Sequence, residues 1–183
     1  MLVLLTALLA GILGGYAAGG RLRHLDSLRF SRAWLVVLAL LLQVVAFSPL
    51  ATTLGESVGV ALHIASYVLL AVFVLLNRNS WGVVVAGLGM GLNMVAITLN
   101  GGYMPASPTA LKYAGVAYAG ETSNNSGVIT ESTHLAFLGD IFATPSWLPA
   151  ANVFSIGDVL IVVGVALVIA CAMRRPTAVE AAT

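Results

Sequence analysis

The chain has 183 residues, of which 60% are apolar and only 8% charged, and its mean hydropathy is +1.01. Soluble globular proteins carry charge on about a quarter of their residues, so this composition excludes a water-soluble domain and makes the lipid bilayer the main solvent. With a net charge of +1 and no basic stripe, the sequence also argues against a nucleic-acid partner.

Five apolar stretches approach the length that a membrane span requires. A hydrocarbon core of about 30 Å needs roughly 20 mostly apolar residues in a helix. We therefore predict an all-α membrane protein, a five-helix transmembrane bundle that forms a single transmembrane domain over residues 1–183. The predicted spans are residues 1–18, 34–50, 58–76, 81–99 and 154–173. Because Pro49 interrupts the second span near its end, residues 50–54 are expected to continue as irregular structure.

The first apolar stretch is predicted to be an uncleaved anchor. A secretory signal peptide has a basic region before its apolar run, whereas residues 1–18 contain no Lys or Arg. Four arginines follow the stretch instead, between residues 21 and 32. This order indicates a helix that enters the membrane from outside.

The distribution of basic residues predicts the orientation. With five spans, seven of the eight Lys and Arg side chains fall on one face of the membrane, and only Lys112 falls on the other. By the positive-inside rule the first face is cytoplasmic, so the N-terminus lies outside and the C-terminus lies in the cytoplasm. The expected location is the bacterial cytoplasmic (inner) membrane, crossed several times. The seven residues are Arg21, Arg23, Arg29, Arg32, Arg78, Arg174 and Arg175.

Glycines four residues apart predict close helix packing. Helices associate in lipid by close contact and hydrogen bonds, and small residues allow their backbones to approach. Packing within one compact bundle is the favoured interpretation, and a dimer interface is the alternative. The repeats are Gly11, Gly15 and Gly19, then Gly55 with Gly59, and Gly87 with Gly91.

Residues 100–153 form the only large polar insertion, which we expect to cover the outer side of the bundle as a lid. It begins with the turn-rich sequence NGGYMP, and the stretch ETSNNSG at residues 121–127 is predicted to be a solvated loop tip. Residues 132–153 mix apolar and aromatic residues but are broken by Pro145 and Pro149. That stretch is too interrupted to span, so it is predicted to be interfacial or re-entrant.

Polar side chains in four spans lie at similar depth below the outer boundary. If they converge, they form an outward-facing ligand pocket roofed by His134 and Asp140. In the alternative interpretation each one satisfies a neighbouring group and fixes helix register, since interhelical polar contacts are common in membranes. The predicted pocket residues are Gln43, His63, Asn93, Asn100, His134, Asp140 and Asp158.

Three chemistries are compatible with this layer. His63 and His134, with Asp140 and Asp158, are candidate metal ligands because imidazole and carboxylate suit divalent ions, although no short-range ligand motif supports them. Asp140 and Asp158 are candidate catalytic residues, because a carboxylate pair can share a proton and activate water as aspartyl hydrolases do. His63 is a candidate ligand for a haem or chlorophyll cofactor.

One short stretch has a partial likeness to a hydrolase. The sequence NVFSIGD at residues 152–158 slightly resembles the stretch that opens the last helix of lipoprotein signal peptidases. The spacing from Asn152 to Asp158 and the number of helices both depart from that pattern, and no second such motif accompanies Asp140. The catalytic hypothesis therefore rests on the aspartate pair itself.

Three stretches together resemble an uncharacterised bacterial integral membrane family, domain of unknown function 5317. They are NGGYMP at residues 100–105, THLAFLGDIF at 133–142 and NVFSIGD at 152–158. The resemblance covers most of the chain, including the basic loop after the first span. It implies the same helical architecture and carries no assigned activity.

The sequence favours a small polytopic membrane protein with no evident catalytic motif, since no nucleotide-binding loop or nucleophile motif is present. We expect either an accessory subunit of a membrane complex or a binding module with an outward-facing polar pocket. Its partners would be the lipid bilayer and, for the accessory role, other membrane subunits. The alternative is a membrane-embedded aspartyl-type hydrolase that uses Asp140 and Asp158. A transporter is less favoured, because five spans cannot form an inverted repeat of equal halves.

Overall fold

The fold is mostly helical. The computed structural model describes residues 2–48, 50, 53, 55–116, 122–123 and 126–174. Its α-helices over these residues are α1 (Leu2–Ala17), α2 (Trp34–Ala46), α3 (Glu56–Leu76), α4 (Trp81–Leu99), α5 (Pro108–Ala114) and α6 (Ile156–Arg174). The described residues also contain two 3-10 turns, Leu22–Ser27 and Ala136–Leu138, and residues 50 and 53 are helical as well. Apart from the short helix α5, these helices are dominated by apolar residues, as the hydropathy pattern predicts.

Within the described residues, three helices are long and apolar enough to cross a membrane. They are α3, from Ser57 onward, α4 and α6, whereas α1 and α2 are shorter apolar helices. The fourth predicted span coincides with α4, and the first, third and fifth agree with α1, α3 and α6 to within two residues. The second prediction is too long, because α2 ends at Ala46 rather than at residue 50. The expected irregular tail is wrong at its two described residues, 50 and 53, which are helical, and residues 51, 52 and 54 lie outside the described residues.

The helices pack in an order that differs from their order in the chain. Helix α6 packs between α4 and α1, α2 packs on α3, and a smaller contact joins α3 to α4. The neighbours therefore run α2, α3, α4, α6, α1. The last helix of the chain therefore lies between α4 and α1 rather than at an edge of the bundle.

Glycines create the close contact between α4 and α6, but they are not the predicted pairs. A Cβ atom at Gly89 would collide with the carbonyl oxygen of Gly157, and one at Gly164 would collide with the backbone nitrogen of Ala86. These contacts repeat about every seven residues, or two helical turns, rather than every four. The backbones can approach because neither helix presents a side chain at these positions.

The predicted glycines differ in what they contact. Gly11 and Gly15 pack against α6, and Gly87 packs against Val74 of α3, which agrees with packing inside one bundle. A Cβ atom at Gly19, Gly55 or Gly91 would meet no heavy atom of the described residues within 4 Å. Spacing alone therefore does not identify which glycines lie at a helix contact, because the helix rotation decides it.

The polar insertion folds as a small mixed domain, which we call the cap (the described part of residues 100–154). Its strands are β1 (Met104–Ala106), β2 (Thr122–Ser123), β3 (Ser126–Val128), β4 (Phe142–Ala143) and β5 (Val153–Phe154). β3 pairs parallel with β1 and antiparallel with β2, and β4 pairs antiparallel with β5. The all-α prediction is therefore wrong for this segment. Strands of two or three residues are too short to show the alternation by which strands are recognised.

Two apolar clusters hold the cap in place. One lies inside the cap, where α5 packs against β1 and β5. The other joins the end of α4 to the cap, because Ala96 and Ile97 contact Met104 and Leu138. Residues 132–153 accordingly form part of a folded domain seated on α4, with a 3-10 turn, a strand and a closed loop. The predicted loop tip at 121–127 is only partly described, and its described residues lie in β2 and β3.

Candidate functional site

A hydrogen-bonded cluster joins α4 to the start of α6. Asn93 Nδ2 donates to Asp158 Oδ1 over 3.0 Å, and the backbone N–H of Ser155 donates to Asp158 Oδ2 over 2.9 Å. The Ser155 hydroxyl lies 2.8 Å from Asn93 Oδ1 and 3.0 Å from Asp158 Oδ2. It also accepts the N–H of Asp158 over 3.0 Å. Serine and aspartate therefore form a reciprocal cap at the start of α6, which Asn93 ties to α4.

Asp140 approaches this cluster from the cap. Its backbone is fixed on both sides, because its N–H donates to Pro105 O over 2.7 Å and its carbonyl accepts the N–H of Ser107 over 3.0 Å. The side chain is buried. Burial, and then the charge of Asp158, raise the pKa of Asp140 to about 7. A carboxyl group held this way carries a proton below neutral pH and a charge above it.

Tyr67 of α3 completes the arrangement. It packs against the apolar cluster that joins α4 to the cap, and the charges of Asp158 and Asp140 act on its hydroxyl group. We call Tyr67, Asn93, Asp140, Ser155 and Asp158 the aspartate cluster. Ser155 and Tyr67 were not among the predicted site residues. Ser155 could have been found, because serine three residues before an acidic residue at the start of an apolar run is a capping signal.

A second polar group lies between α2 and α3. Gln43 Nε2 donates to Ser66 Oγ over 3.1 Å, and the Ser66 hydroxyl donates to the carbonyl of His63 over 2.6 Å. The imidazole of His63 is only 5% exposed and contacts the rings of Phe47 and Tyr67, with centroids 4.8 and 5.0 Å away. Among the described residues neither ring nitrogen of His63 has a hydrogen-bond partner. The cofactor hypothesis for His63 stays a prediction.

A third site lies where α4 ends and the cap begins. Asn100 Nδ2 donates to the carbonyl of His134, and Asn100 Oδ1 accepts the backbone N–H of His134, each over 2.9 Å. Asn100 Nδ2 also donates to Ala96 O over 2.7 Å, which fixes the amide on α4. This clamp holds one wall of a cavity of about 570 Å³, which we call the groove. The groove is lined by Leu99, Asn100, Tyr103, Pro105, Gly127, Val128, Thr130, Ser132, Thr133 and His134.

The seven predicted pocket residues are thus distributed over three places. Asn93 and Asp158 are hydrogen-bonded in the aspartate cluster, and Asp140 lies near enough for the charge of Asp158 to raise its pKa. Gln43 and His63 lie between α2 and α3, where the ring of His63 contacts Tyr67 of the cluster, and Asn100 and His134 line the groove. His134 is exposed. In the part of the chain that the structure describes, no three His, Cys, Asp or Glu side chains come together as a metal site would need. The candidate metal set is divided among these places.

Asp158 differs from Asp140 in what occupies its oxygens. Oδ1 accepts from Asn93, and Oδ2 accepts the backbone N–H of Ser155. Both oxygens are therefore engaged by the protein, as expected of a carboxylate that fixes a helix end. A shared catalytic proton would require Asp158 to turn at least one oxygen toward Asp140 or a water molecule.

The comparisons with known proteins identify a family and no activity. A family model, described as a family of unknown function (DUF5317), matches residues 27–170. No curated protein and no solved structure matches the chain. The matched region contains the cap and all seven predicted pocket residues, and it confirms the resemblance based on the three quoted stretches. The chain therefore belongs to the DUF5317 family, whose function is unknown.

Proposed function

We propose that this protein is a multi-pass protein of the bacterial cytoplasmic membrane with five spans, its N-terminus outside and its C-terminus in the cytoplasm. The three long apolar helices support membrane insertion. Many large apolar side chains on the helices are also exposed, among them Leu13, Val44 and Leu75. A surface of this kind suits lipid and would be costly in water. In this proposal the shorter helices α1 and α2 cross together with their flanking residues.

Contacts between the basic loops support the orientation. Arg21 N donates to Met173 O over 2.8 Å, which puts the loop after α1 beside the end of α6. Further along that loop, the backbone of Ser31 exchanges two hydrogen bonds with the side chain of Asn77, in the turn between α3 and α4. The arginine-bearing segments therefore lie at one end of the bundle, and the cap lies at the other, where it connects the end of α4 to the start of α6. One end is basic and the other carries the cap, as the positive-inside rule requires of a cytoplasmic and an outer face.

Cysteine labelling in intact cells tests this orientation. The background variant is Cys171→Ala, which removes the only cysteine. Ser132→Cys places a thiol on the exposed cap, and Asn79→Cys places one in the exposed turn at the basic end. A membrane-impermeant maleimide should label Ser132→Cys in intact spheroplasts and label Asn79→Cys only after permeabilisation. The reverse result would invert the proposed topology.

Within this topology we propose that the cap is a binding module for a small uncharged, lipid-like ligand on the outer side of the membrane. The observation that carries the proposal is the groove: about 570 Å³ lies within the range of small-molecule sites, roughly 300–1,000 Å³. One part of its lining is apolar, with Leu99, Tyr103 and Val128. Another part offers neutral hydrogen-bonding groups from Asn100, His134 and three hydroxyl side chains. A ligand with an apolar portion and a neutral polar group fits both.

Copurification tests the binding module. The groove-filling variant is Ser132→Trp, and the matched control is Glu131→Trp, the exposed neighbour that does not line the groove. After gentle detergent extraction, mass spectrometry of the wild-type protein should find a stoichiometric small molecule. Ser132→Trp should lose it and Glu131→Trp should retain it. If the wild-type protein carries no such molecule, or if the two variants retain it equally, the groove is not the binding site.

The same purification tests the role of accessory subunit. A protein partner that remains bound in both tryptophan variants would show that assembly does not depend on the groove. A partner lost only from Ser132→Trp would place the contact on the cap beside it. Both results are read from the same gels and spectra.

A membrane-embedded hydrolase is the second candidate, and one observation favours it. The pKa of Asp140 is raised to about 7, first by burial and then by the charge of Asp158, so a second carboxyl group lies near enough to influence its protonation. Against it, the oxygens of Asp158 are engaged by Asn93 and Ser155. With a hydrolase, Asp140→Asn would leave the fold intact and abolish a product seen by mass spectrometry in membranes containing the wild-type protein. With a structural role, Asp140→Asn would change stability alone.

A further inference from the structure

The cap has a second concave surface, away from the groove, whose residues are aromatic, hydroxylic and basic. It has a volume of about 480 Å³ and is lined by Thr109, Lys112, Tyr113, Pro145, Ser146 and Trp147. Trp147 is 77% exposed and Tyr113 is 59% exposed. Neither ring contributes to the apolar clusters that hold the cap together. Two large aromatic side chains left beside one another in water suggest a surface that is covered when the protein is in its membrane.

The loop that carries Trp147 is held rigidly near the start of α6. Thr144 closes its base, because its N–H and hydroxyl both donate to Asn152 O, over 2.9 and 3.1 Å. Asn152 N returns a bond to Thr144 Oγ1 over 2.8 Å. The pairing of β4 with β5 then connects this base to Phe154, two residues before α6 begins. Trp147 is therefore presented at the tip of a closed loop that is attached directly to a membrane-spanning candidate.

This surface carries an isolated positive charge. Lys112 is the only Lys or Arg between residues 79 and 173, whereas four carboxyl groups, those of Glu121, Glu131, Asp140 and Asp158, lie in the same stretch. The single cation of an otherwise acidic segment is thus placed among two aromatic rings and the hydroxyl groups of Thr109 and Ser146. An ammonium group and hydroxyl donors suit a phosphate, and amphipathic rings prefer the headgroup level of a bilayer.

We propose that this surface binds the phosphate-bearing headgroup of an outer-leaflet phospholipid, with Lys112 facing the phosphate and Trp147 and Tyr113 inserted at the level of the glycerol backbone. This interaction lays the cap against the membrane surface beside α6. It rests on the proposed membrane insertion and is independent of any ligand in the groove. Phosphatidylglycerol is bound more strongly than phosphatidylcholine, because its net negative charge complements Lys112.

The depth of Trp147 tests the proposal in the full chain reconstituted into lipid nanodiscs. Trp34→Phe/Trp81→Phe leaves Trp147 as the only tryptophan, and Trp34→Phe/Trp147→Phe leaves Trp81 as the reference. Phospholipids brominated near the glycerol end of the acyl chains should quench Trp147 about as strongly as Trp81. If these lipids quench Trp81 and leave Trp147 bright and open to aqueous iodide, the phospholipid site is overturned while membrane insertion stands. If neither tryptophan is quenched, the proposed membrane insertion also fails.

Substitution of Lys112 tests the phosphate contact separately. In nanodiscs of mixed phosphatidylglycerol and phosphatidylcholine, native mass spectrometry should show phosphatidylglycerol enriched on the wild-type protein. Lys112→Gln should reduce that enrichment roughly fivefold, the effect of one basic side chain near an anionic surface. Glu131→Gln, which also changes one charge on the cap, should not reduce it. Equal enrichment on the wild-type and Lys112→Gln proteins would overturn the assignment of Lys112.

Discussion

The side-chain amide of Asn93 in α4 donates a 3.0 Å hydrogen bond to the carboxylate of Asp158 in α6, across 65 residues of chain. The bond crosses a close contact between the two helices, where Gly89 and Gly157 allow their backbones to meet. Because Asp158 also caps the start of α6 through Ser155, one polar cluster fixes both where the helix begins and what it packs against. Asp140 of the cap lies near enough for the charge of Asp158 to raise its pKa.

Replacement of Asn93 should weaken the bundle. Asn93→Ala removes the donor to Asp158 and the acceptor for Ser155, and it leaves both partners without that bond in a mostly buried place. We expect a loss of about 1–3 kcal/mol in the free energy of unfolding. Thermal unfolding in mild detergent would measure it. Asn79→Ala, in the exposed turn before α4, is the matched control and should be neutral; equal stability of the two variants would contradict a role for the Asn93 bonds.

The contact between α4 and α6 predicts opposite effects for two glycines on one helix. A Cβ atom at Gly89 would collide with the backbone of Gly157, whereas one at Gly91 would meet no described atom within 4 Å. Gly89→Ala should therefore destabilise the protein by about 1–3 kcal/mol, because the backbones must separate. Gly91→Ala should be neutral or slightly stabilising, since alanine favours a helix. Unfolding midpoints of the two variants in the same detergent provide the comparison, and similar values would show that this contact is not tight.

The raised pKa of Asp140 predicts how stability depends on pH. The pKa is about 7 in the folded protein against an ordinary value of 3.8, so the folded state holds the proton more tightly than the unfolded state. Stability should therefore be greatest near and below pH 4, decline as the pH rises toward 7, and level off above it. Melting temperatures of the wild-type protein from pH 4 to 8 would show the decline.

Asp140→Asn is the matched variant for this pH profile. It keeps the shape of the side chain and cannot ionise, so it should flatten the profile and melt at a higher temperature than the wild-type protein at pH 8. An unchanged decline in Asp140→Asn would assign the titration to another group. The profile itself would then no longer support burial of Asp140 beside Asp158.

The hydrogen bonds between Asn100 and His134 should keep residues 130–135, one wall of the groove, in place. Asn100→Asp keeps the oxygen that accepts the His134 N–H but loses the bonds donated to Ala96 O and His134 O. We expect amide hydrogen exchange in residues 130–135 to accelerate, because the segment loses its attachment to α4. Asn152→Asp is the control on the same cap, where the backbone of residue 152 makes the hydrogen bonds with Thr144. Equal exchange in the two variants would show that the clamp does not hold the wall.

Several elements were predictable from sequence because their signals are local. Apolar runs identified the helices, and α4 was placed at the right residues, since length and hydropathy define a candidate span without knowledge of its neighbours. Asn93 and Asp158 could be predicted as site residues, because polar groups inside an apolar helix are costly and usually have a role. The N-terminal capping of α6 could also have been predicted, because Ser155 and Asp158 have the spacing of a capping box.

The strands of the cap were not predictable in the same way. β1 pairs with β3 across the intervening α5, so its partner is fixed by contacts distant in the chain. The four-residue spacing likewise selects Gly87 and Gly91 rather than Gly89, because it carries no information about which side of α4 faces α6. Helix rotation is set by the whole packing arrangement.

The amino-acid sequence by itself determined the apolar character of this protein, the positions of its apolar helices and its family. Each of these follows from contiguous residues, namely the hydropathy and length of the apolar runs and the three quoted motifs. Only the tertiary structure decided that Asn93 is hydrogen-bonded to Asp158, with Asp140 near enough to feel its charge, while His134 lies in the groove. The reason is physical: which polar side chains come together depends on how the helices rotate and on how the cap folds over their ends.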